Sequence, residues 1–195
     1  MKDHTIKYFE AVNKISNKID HKKIDRIARA LYELRENKGR LFFLGVGGSA
    51  ANCSHAVNDF RKLCKIEAYS AIDNVSELTA RINDEGWDSS FEEYLKSSNI
   101  NKNDAIFILS VGGGDLEKNV SVNLINAVKY SKSINCRVFG IVGRNGGYTF
   151  RNGDDVLVIP SINESLTTPL TESYQAIVWH CLVSNPLLQL KPTKW

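Results

Sequence analysis

The first forty residues carry an apolar residue at almost every third or fourth position, a spacing that predicts amphipathic helices. The charged stretch 20–23 interrupts this pattern and divides it into two helices. An apolar stripe on a helix that precedes the first strand must be buried on some other surface, and that surface is often a second subunit. We therefore interpret residues 1–38 as a helical oligomerisation segment. The apolar positions are Ile6, Phe9, Val12, Ile15 and Ile19, followed by Ile24, Ile27, Leu31 and Leu34.

After Gly39 the apolar residues form short continuous runs, which predict strands buried on both faces, as in a parallel sheet. Helical patterns separate these runs, so we expect a three-layer, doubly wound α/β sandwich with a mostly parallel sheet. The sandwich and the helical segment together form one globular domain, with residues 39–195 as its α/β part. The predicted strands are 40–45, 105–111, 137–143 and 155–160, and the predicted helices are 49–64, 117–132 and 168–185, with a shorter pair between 75 and 97.

Three glycine-rich loops follow three of the predicted strands: 45–49, 110–115 and 143–147. Ligands of such sheets bind at the carboxyl ends of the strands, where glycines allow backbone N–H groups to approach an anion. The three loops favour a small anionic or polyhydroxylated ligand. The first loop also fits the dinucleotide pattern G-x-G-x-x-A, but neither Glu67 nor Asp73 is clearly placed as the acid that this pattern requires.

Composition excludes several classes of protein. The net charge of +3 is small and its basic residues are scattered, which argues against nucleic acid or a membrane surface as the partner. No apolar stretch reaches the roughly 20 residues of a membrane span, and the first residues lack the apolar segment of a secretory signal. The four cysteines show no metal-binding spacing, so we expect small buried side chains in a reducing, cytoplasmic protein.

The motifs GVGGSAANCSHAVND, GIVGRNGGY and TPLTESYQAIVWH resemble the sugar-isomerase (SIS) domain family, and within it the sedoheptulose 7-phosphate (phosphoheptose) isomerases. The resemblance runs over nearly the whole chain. It implies an α/β sandwich like the one deduced above, in a homotetramer with active sites between subunits. It also implies the conversion of a ketoheptose phosphate into an aldoheptose phosphate, on the way to the heptose units of bacterial surface polysaccharides.

The resemblance implies four residues of a metal site, and in some members of the family the corresponding positions bind zinc. The family's H-x-x-x-E is present as His55 and Asp59, and its late Gln and His are Glu172 and His180. The acid and the final histidine serve as the acid–base pair, with Asp59 or Glu172 as the base and His180 as the acid. Asp59 and His55 lie four residues apart, so they share a helix face.

Glu172 and His180 are harder to bring to one ion, because eight residues of helix rise about 12 Å. A second subunit or an irregular helix would ease this. Each residue also has a purely structural interpretation. Thr168 and Pro169 predict a helix start that puts Glu172 in the first turn, and His180 follows apolar residues that are typical of a core.

The phosphate loop departs from the family, which has S-T-S-G-N-S where this chain has residues 110–115. Two hydroxyls are lost, and Asp115 would repel a phosphate dianion by on the order of 1–4 kcal/mol. Asp115 is alternatively the N-cap of the following helix, turned away from the ligand. The candidate substrate and phosphate ligands are Gly47, Gly48, Ser49, Asp84, Ser110, Gly112, Gly113, Gly114 and Arg144.

The sequence therefore predicts a metal-dependent isomerase of a heptose phosphate or a close relative. The chemistry passes through an enediol and needs a base, an acid and an electropositive group, which a zinc-like ion supplies. The alternative is a non-catalytic SIS module that binds a sugar derivative or scaffolds a partner protein. A different reaction on a nonphosphorylated or nucleotide-linked sugar also remains open.

Overall fold

The computed structural model describes residues 2–193, so the first residue of the predicted helical segment and the last two of the predicted α/β part lie outside the described residues. The chain alternates helices and strands as the sequence predicts. The helices are α1 (Lys2–Lys18), α2 (His21–Glu36), α3 (Gly48–Cys64), α4 (Val75–Glu85), α5 (Ser90–Ser97), α6 (Val122–Ser133), α7 (Gly147–Asn152) and α8 (Thr167–Val183), with a short 3₁₀ helix at Glu164–Leu166. The strands are β1 (Leu41–Gly45), β2 (Ala68–Ser70), β3 (Ala105–Ser110), β4 (Arg137–Val142) and β5 (Asp155–Val158).

The five strands form one parallel sheet in the order β2-β1-β3-β4-β5. Successive strand residues face opposite layers. Phe43 packs into a core with α1, α2, α3 and α8, whereas its neighbour Phe42 packs into a second core with α5 and α6. The predicted three-layer sandwich with a parallel sheet is thus confirmed. The order of the strands places the loops after β1, β3 and β4 side by side at one edge of the sheet.

Four details of the predicted elements were wrong. The strand β2 was missed because it has only three residues, and α7 was missed because it is a six-residue helix inside a predicted loop. The helix predicted from residue 117 begins at Val122, because residues 115–120 form a separate turn. The late helix begins at Thr167 after a 3₁₀ turn, so Thr168 is not its N-cap and Glu172 is not in its first turn.

The N-terminal helices bury most of their apolar stripe within the same chain. Ile15 and Ile27 are fully covered by the core, and the hydroxyl of Tyr174 on α8 donates to the carbonyl of Val12 at 2.6 Å. Only the first part of the stripe remains open, since Ile6 and Phe9 are 59% and 62% exposed. The chain itself thus covers most of the stripe, whereas these two residues on α1 remain uncovered.

Candidate functional site

Helices α3 and α8 lie side by side and bring three of the predicted ligands together. The side chains of His55, Asp59 and His180 each offer a donor atom, and these atoms lie within 4.8 Å of one another. Nε2 of His55 is 3.8 Å from Oδ2 of Asp59, and Nε2 of His180 is 3.9 Å from the same oxygen. Two elements more than a hundred residues apart therefore converge on one small group of imidazoles and carboxylate.

The donor set suits a divalent metal ion. Imidazole nitrogens and a carboxylate oxygen are the ligands of many catalytic zinc sites, which use three protein ligands and keep a fourth position open. Bonds of about 2.0–2.1 Å to a tetrahedral ion separate neighbouring ligand atoms by roughly 3.3 Å, slightly less than the observed spacings. Asp59 is mostly buried, while the two histidine side chains are about half exposed. His180 is therefore not the buried core histidine that its apolar neighbours indicated.

The two carboxylate oxygens of Asp59 have different neighbours. Oδ1 accepts a hydrogen bond from Nδ2 of Asn58 at 2.8 Å. Oδ2 faces the two imidazoles. This arrangement leaves Oδ2 as the oxygen available to an ion or a proton.

Glu172 does not join this group. Its carboxylate lies against Gly48 at the start of α3, so closely that a side-chain carbon on Gly48 would overlap it. Gly48 precedes His55 by seven residues of helix, a rise of about 10 Å. Among residues 2–193, the metal-binding group consists of His55, Asp59 and His180, without the fourth ligand that the resemblance implies.

A polar network joins α3 to α8 between Glu172 and the group of His55, Asp59 and His180, which is called the three-residue group below. Nδ2 of Asn52 donates to the carbonyl of Glu172 at 3.0 Å and to Oε1 of Gln175 at 3.1 Å. Nε2 of Gln175 in turn donates to the hydroxyl of Ser49 at 3.0 Å. Ser49 is only 1% exposed, so its hydroxyl serves the contact between α3 and α8 in this conformation.

A cleft of about 1100 Å³ lies at the ends of β3 and β4. The loop after β3 forms one wall and the loop after β4 with α7 forms the other. Of the predicted substrate ligands it contains Gly112, Gly114 and Arg144. The sequence analysis missed two further cations in it, Lys118 and Arg151, although each follows a glycine-rich loop by a few residues.

The cleft offers several donors to an anion. Lys118, Arg144 and Arg151 form no ion pair with any residue between 2 and 193. The backbone N–H groups of Gly112 and Gly114 likewise donate to no atom of the described chain. Unpaired N–H groups of neighbouring residues are typical of anion-binding loops.

The carboxylate of Asp115, where this loop departs from the family, stabilises the turn 115–120. Oδ1 of Asp115 accepts from the backbone N–H groups of Glu117 and Lys118, and the backbones of Asp115 and Val120 bond to each other in both directions. Asp115 thus caps its own turn rather than α6, whose N-cap is Ser121. The predicted capping of α6 by Asp115 was wrong, and the carboxylate residues Asp115 and Glu117 both line the cleft.

The other predicted ligands lie outside the cleft lining. The hydroxyl of Ser110 accepts from the N–H of Gly113 within the loop. Asp84 is exposed in the last turn of α4 and accepts from Asn83. Gly47 and Gly48 are exposed at the start of α3.

Comparisons with known proteins agree with this architecture. Residues 7–143 match the SIS domain family. A probable phosphoheptose isomerase of Thermoplasma volcanium is 29% identical over 176 residues, which cover 88% of this chain and 85% of that protein. A phosphoheptose isomerase of Helicobacter pylori is 28% identical over 157 residues, 78% of this chain and 76% of that one. The solved structure of a phosphoheptose isomerase from Francisella tularensis shares the fold, with a TM-score of 0.80 at 21% identity over 93% of this chain and 95% of that one.

Proposed function

The chain belongs to the SIS domain family, and from this premise we propose that it is an aldose–ketose isomerase of a phosphorylated sugar, acting on sedoheptulose 7-phosphate or a related heptose phosphate. The observation that carries the proposal is the convergence of His55, Asp59 and His180 on one point between α3 and α8. The names of the relatives support a phosphosugar substrate. We place the reaction in the cytoplasm, in the synthesis of heptose for bacterial surface polysaccharides.

The isomerisation moves one hydrogen from C1 to C2 and one from the C1 oxygen to the C2 oxygen. A base removes a proton from C1 of the ketose while the C2 carbonyl oxygen takes up a proton, which gives the enediol. The proton is then returned to C2, and the C1 hydroxyl loses its own to become the aldehyde. Asp59 is the base in this proposal, because its Oδ1 accepts from Asn58 and its Oδ2 faces the open group, and His180 is the acid.

His55, Asp59 and His180 would hold a divalent ion, with zinc as the first candidate. Such an ion would polarise the two substrate oxygens and stabilise the negative charge of the enediolate. The side chains of the chain bind it, orient the substrate beside it and move the protons. Glu172 becomes a fourth ligand or a second base only if another copy of the chain brings it to the group.

The cleft beside β3 and β4 is the proposed phosphate site. The N–H groups of Gly112 and Gly114 and the guanidinium of Arg144 replace the hydroxyls that this loop lacks. Gly113 supports the loop, and Ser110 holds it through its own hydroxyl. Ser49 and Asp84 contribute only if the loops rearrange when the substrate binds. A homotetramer in which a cleft faces the three-residue group of a neighbour would unite the two halves of the site.

The test is an NMR assay of sedoheptulose 7-phosphate in D₂O, with Zn²⁺ or with a chelator. We expect an aldoheptose phosphate that carries deuterium at C2, and loss of turnover in His180→Gln. His21→Gln, at an exposed position on α2, is the matched control. Unchanged turnover in His180→Gln would refute the assignment of the acid.

A non-catalytic, sugar-binding module is the second candidate. The separation of the cleft from the three-residue group within one chain favours it, because each half then binds without reacting. Absence of both conversion and metal binding in the assay above, with retained binding of a sugar phosphate, would select this function.

A further inference from the structure

The indole of Trp179 lies under both histidines of the three-residue group. Its ring centroid is 3.6 Å from that of His180, with the planes tilted by 35°, and 4.6 Å from that of His55, with the planes at 68°. Trp179 is itself completely buried, whereas the two imidazoles are about half exposed. The indole therefore forms the floor of the group, and the opposite side of the imidazoles stays open.

This floor restricts the rotations of two otherwise exposed side chains. A half-exposed histidine on a helix surface has several staggered rotamers available. Contact with a fixed aromatic ring, edge-to-face or tilted, favours one of them. In the favoured arrangement Nε2 of both imidazoles points toward Oδ2 of Asp59.

The indole also has an energetic cost that a purely apolar core residue would not have. Its Nε1–H is buried and has no hydrogen-bond partner among the described residues. Buried donors without partners are rare in native proteins, and each calls for an explanation. Leucine or phenylalanine would pack against α3 without leaving such a donor. The indole therefore has a role besides filling the core.

We propose that Trp179 is a positioning residue, which holds His55 and His180 in the rotamers that bind an ion or exchange a proton. The inference rests on the proposed function for the role of the histidines, but the orientation itself exists in the protein without metal or substrate. Hydrogen-bonded groups that orient metal ligands from behind raise metal affinity by about 10- to 100-fold, and we take this range as the expected upper size of the effect of packing on the indole.

The test uses Trp179→Leu, which removes the ring, and Trp179→Phe, which keeps an aromatic face and lacks the N–H. Trp87→Phe is the matched control, because Trp87 lies against Phe91 in another part of the molecule. Ring-proton chemical shifts of the four histidines, and the χ1 rotamers of His55 and His180 from three-bond couplings, are measured by NMR in the metal-free protein. Zn²⁺ affinity is measured by competition with a chromophoric chelator, and folding by thermal unfolding.

In the wild type and in Trp87→Phe, we expect the ring protons of His55 and His180 to be displaced by the ring current of the indole. Trp179→Leu should abolish the displacement and weaken Zn²⁺ binding by about 10- to 100-fold, and Trp179→Phe should restore most of both. Unchanged histidine shifts in folded Trp179→Leu would overturn the inference. Equal Zn²⁺ affinity in Trp179→Leu and the wild type would also overturn it.

The outcomes separate this inference from the proposed function. If the wild type binds no Zn²⁺ but the χ1 rotamers of its two histidines still depend on Trp179, the metal site of the proposed function fails and the orienting role stands. If Trp179→Leu binds Zn²⁺ with wild-type affinity and its histidine rotamers are unchanged, the proposed function stands and the orienting role fails.

Discussion

Single residues on α3 and α8 acquire their roles from the helix faces they occupy. His55 and Asp59 share a face because they are four residues apart. His180 lies beside them because α8 packs alongside α3. Five residues before His180 on α8, Gln175 donates a hydrogen bond to the hydroxyl of Ser49 on α3. Glu172 lies near the start of α3 for the same reason, since the two helices run in the same direction and keep their ends together.

Asp59 is the residue whose loss should damage the group most. Asp59→Asn removes the charge that faces both imidazoles but keeps the size of the side chain. Loss of an outer partner of a metal ligand costs about 10- to 100-fold in affinity, so we expect loss of the ligand itself to weaken Zn²⁺ binding by at least about 100-fold. Isothermal titration of Zn²⁺ measures this.

Asp25→Asn is the control for that substitution, because Asp25 is an exposed carboxylate on α2. Its Zn²⁺ affinity should equal that of the wild type. Equal affinities in all three proteins would show that the ion, if any, binds elsewhere.

The four cysteines should differ in reactivity, contrary to our expectation that all are buried. Cys53, Cys64 and Cys136 are buried, whereas Cys181 is exposed. Burial raises the pKa of the Cys64 and Cys136 thiols to about 12, because it disfavours the thiolate. Since the thiolate is the reactive form, we expect one fast thiol in the native protein and four after unfolding.

A chromogenic thiol reagent measures this difference near pH 8. Cys181→Ser should abolish the fast reaction and leave the three slow ones. A fast reaction that persists in Cys181→Ser would show that one of the buried cysteines becomes accessible.

At the scale of elements, two loops at the sheet edge interlock through their backbones. A side-chain carbon on Gly147 would overlap the carbonyl oxygens of Gly112 and Gly114, and Gly147 has a φ of 55°. The N–H groups of Tyr148 and Thr149 donate to the carbonyls of Gly114 and Gly113, each at 2.8 Å. These glycines therefore build the cleft by letting the two loops approach each other closely.

Gly147→Ala should therefore destabilise the protein. The added carbon needs both an unfavourable φ and a shift of the loop after β3, so we expect a loss of about 1–3 kcal/mol or more in the free energy of unfolding. Urea denaturation measures it. Gly112→Ala is the control in the same cleft, because no atom lies within 4 Å of its added carbon, and it should change stability by less than about 0.5 kcal/mol.

A smaller effect of Gly147→Ala than of Gly112→Ala would contradict this packing. It would then follow that the loop after β3 adapts freely, and that the glycines are needed for a ligand rather than for the fold.

At the scale of the whole molecule, α1 leaves an apolar surface uncovered. Ile6 and Phe9 are uncovered, although the rest of the apolar stripe is buried in the same chain. Among residues 2–193 no helix is both long and apolar enough to cross a membrane. Because Ile6 and Phe9 are apolar and uncovered, we propose a second copy of the chain as the partner of this face of α1.

Phe9→Asp should lower the oligomeric state of the protein, because a carboxylate would be buried in the contact. Light scattering coupled to size-exclusion chromatography measures the mass. Asn13→Asp makes the same change in charge at an exposed position of α1 and should leave the mass unchanged. If both variants keep the wild-type mass, this face of α1 is not in the contact.

A site shared between copies should also show complementation. Asp59→Asn damages the three-residue group, and Arg144→Ala damages the cleft. If one copy supplies the group and another the cleft, mixed oligomers of the two inactive variants should recover part of the wild-type turnover. Turnover that stays at the level of the separate variants would place the whole site within one chain.

The amino-acid sequence alone determined the alternation of helices and strands and the class of the fold. Apolar patterning is a local signal, so β1 and β3 were predicted within one residue. The same signal failed for β2 and α7, which are too short to show a period. It also extended α6 backward through the turn 115–120, because the capping carboxylate of Asp115 serves a turn and a helix equally well.

Only the tertiary structure decided which side chains meet. Linear spacing places His55 beside Asp59, but the parallel packing of α8 on α3 brings His180 to them and leaves Glu172 about two helical turns away. The same packing buries Ser49 against Gln175 and places Trp179 under both imidazoles. The contacts between α3 and α8 join segments more than a hundred residues apart. Their geometry depends on how the helices pack on the sheet, and a local pattern of residues does not contain that information.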